Sequence, residues 1–322
     1  MSRRWRGSPW KFSRVPGYVA GMTTPLRPAQ RGASCLALLA AAAIPTAKAQ
    51  VPLRATAPCS SCATWNTPQP PVRIHGNTWY VGTRGLAAIL ITSAEGHVLI
   101  DGGLEESAPL IAASVRAAGF RLEDIKFLLN SHVHYDHAGG LSVLQRATQA
   151  RVAALPPAAA VLRTGRSQPN DPQHREPLGI APVRRVEVVR DLDTVRVGRL
   201  AITAHHTGGH TPGGTTWTWS ACDSVTCREI VYADSQSPIS SDGFRFTGSE
   251  AATLFRAGYA RLESLSCDIL VTPHPDASRF WQRVDARTAG AADALVDREA
   301  CRAYAANARS ALERRLATER AP

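Results

Sequence analysis

Four side chains able to bind metal stand within six residues in the run Ser131-His132-Val133-His134-Tyr135-Asp136-His137. That run constrains the fold more than any other feature of the chain. It follows directly on Ile125–Asn130, which reads as a buried strand. It leads into Ala138-Gly139-Gly140 and the apolar positions Leu141 and Leu144 of a helix. At a strand end, positions i and i+2 point to one side, so His132 and His134 converge. Asp136 and His137, at the start of the helix, enter the same space from another backbone direction. Four N and O donors so close in sequence cannot all surround one tetrahedral ion, because the local backbone cannot wrap around it. Two adjacent ions resolve this, one on His132 and His134 and one on Asp136 and His137. Each then needs a donor from elsewhere. The plain alternative is a polar helix N-terminus with incidental histidines.

Two distant histidines have the right setting. His210 lies in Thr207-Gly208-Gly209-His210-Thr211-Pro212-Gly213-Gly214, a turn whose glycines allow close approach. His274, in Val271-Thr272-Pro273-His274-Pro275, is clamped between prolines at the end of a buried strand. His205 and His206 still belong to a strand and read as structural or supporting residues. His75, His97 and His174 read as surface residues.

The rest of the chain supplies strands and helices in two successive sets. Strands are expected at 78–83, 86–92, 97–101 and 125–130, with helices at 105–119, from Leu141 onward and at 155–164. A Pro-rich loop at 165–182 separates these from strands at 183–189, 194–197, 199–204, 214–219 and 228–233. A loop at 234–250, a helix at 250–264, a strand at 268–272 and a terminal helix at 288–317 follow. Strands then helices, twice over, point to an α+β fold of two sheets back to back with helices on both outer faces. Residues 50–72 read as an extended lead-in, and 73–322 as one catalytic domain.

Charge and cysteines bear on compartment and partners. The chain carries 37 Lys and Arg against 26 Asp and Glu, a formal charge of +11. Residues 1–49 hold eight of the cations and no acid, so the remainder keeps only +3, the difference between 11 and 8. That segment also has an apolar stretch ending in Ala47-Lys48-Ala49, the layout of a secretory leader cleaved after Ala49. A start at Met22 would leave residues 1–21 untranslated. The weak residual charge, without a basic-aromatic patch, argues against a nucleic-acid partner. Past the leader no apolar run reaches membrane-span length, so no membrane insertion is expected. Six cysteines remain: Cys59, Cys62, Cys222, Cys227, Cys267 and Cys301. An even number in an exported chain favours disulfides. Cys222 and Cys227 suit a hairpin staple, and Cys267 with Cys301 would tie a strand to the terminal helix. Cys59-Ser-Ser-Cys62 reads as an exposed pair whose bridging is open.

Taken together, Leu99-Ile100-Asp101-Gly102-Gly103, the His132–His137 run, Gly209–Gly214, Tyr232-Ala233-Asp234-Ser235 and Thr272–Pro275 resemble the metallo-β-lactamase superfamily. The resemblance covers nearly all of residues 75–317 and is closest to subclass B3. It implies a four-layer αββα sandwich and a monomeric periplasmic enzyme of a Gram-negative bacterium. The implied activity is hydrolysis of β-lactams (penicillins, cephalosporins, carbapenems) through a metal-bound hydroxide, with two Zn2+ per chain. Carried over, His132, His134 and His210 hold the first zinc, while Asp136, His137 and His274 hold the second. Asp136 also orients the attacking water. Ser235 stands where another subclass has a zinc-binding cysteine. Ser235 and Ser237 would meet the carboxylate of the β-lactam, or else serve as loop-capping hydroxyls. Asp101 corresponds to a structural aspartate under the metal loop. The rival within the superfamily is a glyoxalase-II-like thioesterase or lactonase, in which an aspartate at the position of Asp234 bridges both metals. A zinc nuclease and a binding protein with a vestigial site are further alternatives.

Overall fold

Side-chain alternation along the strands sets the layers of the molecule. The computed structural model describes residues 59–176 and 179–321. The expected leader at 1–49, the Met22 start and the first part of the lead-in lie outside the described residues. A one-turn helix α1 (Cys62–Trp65) precedes β1 (Val72–His75), β2 (Thr78–Tyr80), β3 (Ile89–Ile91) and β4 (His97–Ile100), which pair antiparallel in that order. Helix α2 (Ala108–Ala117) crosses to β5 (Ile125–Leu129), parallel to β4. Helices α3 (Tyr135–Ala138) and α4 (Leu141–Thr148) lead to β6 (Arg151–Ala154), and α5 (Pro156–Thr164) leads to β7 (Val186–Val188). Both strands extend the parallel edge, completing a seven-stranded sheet ordered β1 to β7.

The second sheet has five strands. β8 (Thr194–Val197), β9 (Leu200–His206), β10 (Thr215–Cys222) and β11 (Cys227–Tyr232) pair antiparallel. After α6 (Glu250–Ser264), β12 (Ile269–Val271) joins parallel to β11. Helices α7 (Phe280–Thr288) and α8 (Ala300–Arg320) close the chain. No described helix is long and apolar enough to cross a membrane.

The strands are apolar on both faces because both faces are covered. Ile89, Ile91, Val98 and Ile100 point inward and meet Ile202, Trp217, Ile230 and Tyr232 of the second sheet. Their neighbours Leu90 and Leu99 point outward onto Ile111 and Val115 of α2 and Leu141 of α4. Val231 and Leu270 do the same on the other side, under Phe255 and Tyr259 of α6 and Leu312 of α8. Each fully buried side chain of this kind contributes about 1.5–3 kcal/mol. The αββα order is the expected one.

Several local expectations change. The lead-in is not wholly extended, since α1 forms within it and β1 begins at Val72. The short strand β6 was not anticipated, because Arg-Val-Ala-Ala has more helical than strand propensity. The expected helix at 288–317 starts late: residues 289–299 are not helical, Gly290 takes φ 109°, α8 begins only at Ala300, and α7 at Phe280–Thr288 stands where no helix was expected. His97 is buried at the head of β4, edge-on to Phe120, and burial lowers its pKa. It is not a surface residue. His75 and His174 are half-buried, with His75 Nε2 3.2 Å from Thr226 O. All three cysteine pairs are bridged: Cys59–Cys62, Cys222–Cys227 and Cys267–Cys301.

The strands also aim the site. Loops following β5, β9, β11 and β12 gather at one edge of the sandwich, the usual place for a site at carboxyl ends of strands. Trp217 Nε1 donates to Asn130 O at 3.0 Å, and Thr215 N–H donates to Ser131 O at 2.7 Å. The second sheet thereby grips the loop that carries His132.

Candidate metal centre

Asp101 fixes the loop after β5 from beneath. Its Oδ1 accepts from Ser131 N–H at 2.7 Å and Asn130 Nδ2 at 3.2 Å. Its Oδ2 accepts from Ser131 Oγ at 2.6 Å and Tyr232 OH at 2.8 Å. The side chain is buried at a residue with φ 63°, a left-handed conformation that Asp tolerates better than most. Burial raises its pKa, opposed by His137 and the Ser131 hydrogen bonds. Asp101 thus takes the supporting place expected of it and stands outside the donor cluster.

Above this support, six side chains form two triangles. His134 Nδ1 lies 3.2 Å from His210 Nε2, and a ring nitrogen of His132 lies within 4.8 Å of both side chains. Asp136 Oδ2 is 3.2 Å from His137 Nε2 and 3.2 Å from His274 Nε2, and those two nitrogens are 3.2 Å apart. The His132 ring stands between the triangles, 4.4 Å from the His137 ring and 4.9 Å from that of His134. His132 also comes within 4.8 Å of Asp136 and His137. The distances nevertheless place His274 with Asp136 and His137, because all three sides of that triangle are equal.

Hydrogen bonds behind the first triangle set its tautomers. His132 Nδ1 donates to Asp234 Oδ1 at 2.9 Å, His134 Nε2 to Asp171 Oδ1 at 3.3 Å, and His210 Nδ1 to Ser237 O at 2.9 Å. Each ring therefore turns a free lone pair toward the pocket. Gly214 makes this possible, since a Cβ there would lie 2.1 Å from Asp234 Oδ2. Burial pushes His132 far below the usual histidine range, helped by His137, and pushes Asp234 far above the usual carboxylate range. Burial and His134 bring His210 down to about 3. Burial opposes ionisation of Asp136, yet His137 and His274 hold it well below the usual range.

This donor set fits a metal. Donors about 2.0–2.1 Å from a tetrahedral ion are separated by about 3.3 Å, close to the 3.2 Å edges seen. His132 Nε2 is buried without a hydrogen-bond partner, and neutral lone pairs facing each other at 3.2 Å repel unless a cation lies between them. The six residues expected from the sequence are therefore brought together. His205 and His206 are not: His205 Nε2 bonds Thr218 Oγ1 at 2.9 Å, and His206 Nε2 bonds Pro212 O at 2.9 Å.

Two residues of the 165–182 loop were missed. Asp171 is buried, accepts from Gln173 N–H at 2.8 Å, and holds His134. Gln173 brings its Nε2 to 3.4 Å from His134 Nδ1 and 3.5 Å from His210 Nε2. Only Asn170-Asp171-Pro172, a turn-forming triplet, hinted at order there. Ser235 and Ser237 line a cavity of about 230 Å³ with Thr272, His274, Tyr304 and Asn307. Ser237 Oγ is 3.5 Å from His210 Nδ1, while its carbonyl takes the shorter bond. Asp234 stands behind His132, not between the triangles.

Known proteins are similar to this chain in sequence and fold. The model of the metallo-beta-lactamase superfamily matches residues 81–224. Rm3 metallo-beta-lactamase is 50% identical, with a TM-score of 0.80 over 82% of this chain and 100% of that one. MEM-A1, a subclass B3 metallo-beta-lactamase from a soil metagenome library, is 46% identical (TM-score 0.77; 79% of this chain, 98% of that one). The metallo-beta-lactamase SMB-1, solved with mercaptoacetic acid, is 43% identical (TM-score 0.77; 80% and 99%).

Proposed function

The chain belongs to the metallo-β-lactamase superfamily, in subclass B3, and from that membership and its two donor triangles we propose that it is a two-zinc β-lactamase. The carrying observation is the pair of triangles: the second has three 3.2 Å sides, and the first has a 3.2 Å edge between His134 and His210 and all three rings held from behind. His132, His134 and His210 hold one ion; Asp136, His137 and His274 hold the other. When bound, zinc supplies a Lewis acid and a water acidified toward neutral pH.

The protein's own groups do the rest. Asp136 stays ionised beside His137 and His274, so its carboxylate accepts a hydrogen bond from the attacking water and orients it. Gln173 Nε2, at the mouth of the first triangle, donates to the lactam carbonyl oxygen as negative charge grows there. Ser235 and Ser237 offer hydroxyls to the substrate carboxylate from the cavity beside His274. Opening the four-membered ring breaks the C–N bond, and the departing nitrogen takes up a proton. The position of Asp234 disfavours the thioesterase-like alternative, because its Oδ1 faces His132 Nδ1 and not the pocket.

The leader-like segment at 1–49 and three cystine bridges support a periplasmic enzyme, since disulfides persist in oxidising compartments. Purified mature protein loaded with zinc is expected to hydrolyse a penicillin, a cephalosporin and a carbapenem, and EDTA to abolish all three activities. No turnover of any of them, together with turnover of a thioester, would overturn the proposal.

A further inference from the structure

The Cys59–Cys62 pair lies against the metal centre. An isolated one-turn helix such as α1 is unstable in water, so its conformation depends on what holds it. The disulfide staples its start. Trp65 N–H donates to Ser61 O at 2.8 Å, and Asn66 N–H donates to Cys62 O at 2.9 Å. The turn is then docked on the body of the protein. Trp65 O accepts from Gly85 N–H at 3.0 Å and Thr83 Oγ1 at 2.7 Å, and Thr67 O accepts from Arg84 N–H at 2.8 Å. Asn66 Oδ1 accepts from Ser107 Oγ at 2.6 Å. Gly85 is needed for this approach, because a Cβ there would lie 2.6 Å from Trp65 Cα.

Docked in this way, the turn touches the second triangle at His274 and its flank at Tyr135. The Trp65 ring lies 5.1 Å from the His274 ring, tilted by 52°. Cys59 Sγ lies 3.7 Å from the hydroxyl of Tyr135, the residue before Asp136. The 83–87 loop links the contacts, since it holds Trp65 at one end and Ala87 N–H donates to Pro273 O at 2.8 Å at the other. His274 needs such support. Its side chain is 35% exposed, against 0% for His137 and 9% for Asp136. Among the described residues, no hydrogen bond reaches its Nδ1, whereas every ring of the first triangle has one from behind.

We propose that Trp65 is a positioning residue for the second metal, and that the Cys59–Cys62 staple holds its ring against His274 in place of the missing hydrogen bond. An aromatic pair of this kind restricts ring rotation without fixing a tautomer. The inference rests on the two-ion reading above.

Titration of the metal-free protein with Co2+, followed by the ligand-field absorption of each equivalent, tests it. Trp65→Ala is expected to weaken binding of the second equivalent by about tenfold, the low end for lost support around a ligand, and to leave the first unchanged. Trp65→Phe, which keeps an aromatic face, is expected to restore most of that loss. Cys59→Ser with Cys62→Ser is expected to weaken the second equivalent in the same sense. Equal weakening of both equivalents by Trp65→Ala, or no change in either, would overturn the inference. A wild-type protein that takes up one equivalent would overturn it along with the two-ion reading. Two equivalents without β-lactam hydrolysis would overturn only the proposed activity.

Discussion

Both triangles contain a 3.2 Å edge, but their surroundings differ. His132, His134 and His210 are each held from behind by Asp234, Asp171 or the Ser237 carbonyl. In the other triangle, His137 Nδ1 is buried without a partner, and behind the His274 ring the Trp65 ring stands where the first triangle has hydrogen bonds. A ligand whose tautomer and rotation are already fixed loses less freedom on binding metal. The first triangle is therefore a preorganised site, and the second is a site completed by what binds it. The inequality matters for the proposed chemistry, because the second triangle also carries Asp136 and borders the Ser235–Ser237 cavity proposed above for the substrate carboxylate.

The largest effect that would sharpen this contrast is removal of a ligand from the preorganised side. His210→Ala is expected to lower β-lactam hydrolysis on the order of 10²–10³-fold, the several kcal/mol of charge stabilisation a metal supplies. His205→Ala, five positions before His210 but bonded to Thr218, should retain most activity. Equal losses would break the ligand assignment.

Next comes the support behind that triangle. Asp234→Ala is expected to weaken zinc at the first site by about 10–100-fold with little change at the second. Competition against a chromophoric chelator measures both. Asp171→Asn should act in the same direction but near the lower end of that range, since the His134 side chain it supports is 13% exposed while that of His132 is 1% exposed. A larger loss from Asp171→Asn than from Asp234→Ala would reverse the proposed order of support.

The smallest effect on the contrast should come from outside the pocket. Replacing Cys267 and Cys301 by Ser removes the tie between α8 and the segment before β12, and is expected to cost about 2–4 kcal/mol of stability. Thermal unfolding should show the loss while the two zinc affinities keep their ratio. A changed ratio would mean that the αββα frame, not the local hydrogen bonds, makes the triangles unequal.

The donors themselves were legible because metal chemistry restricts residue type and spacing. His132, His134, Asp136 and His137 declare themselves in one run, and the glycines around His210 and prolines around His274 mark rigid turns. The layers followed from strand alternation, as at Ile89, Leu90 and Ile91, which divide between the two cores. What supports the donors was less legible. Asp171 and Gln173 come from a loop without periodicity, and only packing brings them to His134. Trp65 reaches His274 across more than two hundred positions of chain, through backbone hydrogen bonds that no residue type announces. Asp234 was visible as a candidate, but the side of His132 it occupies is a matter of tertiary geometry. His97 was misread because a polar residue at the head of a strand is usually exposed, and Phe120 covers this one. The late start of α8 is hidden in the sequence because the alanines of 289–299 favour helix, although turns fill that stretch.

The most direct measurement is an equilibrium titration of the metal-free protein with zinc, repeated for His210→Ala and His274→Ala. Two equivalents of unequal affinity are expected, with the tighter lost in His210→Ala and the weaker lost in His274→Ala. A single equivalent in the wild-type protein, or loss of the same equivalent in both variants, would contradict that expectation.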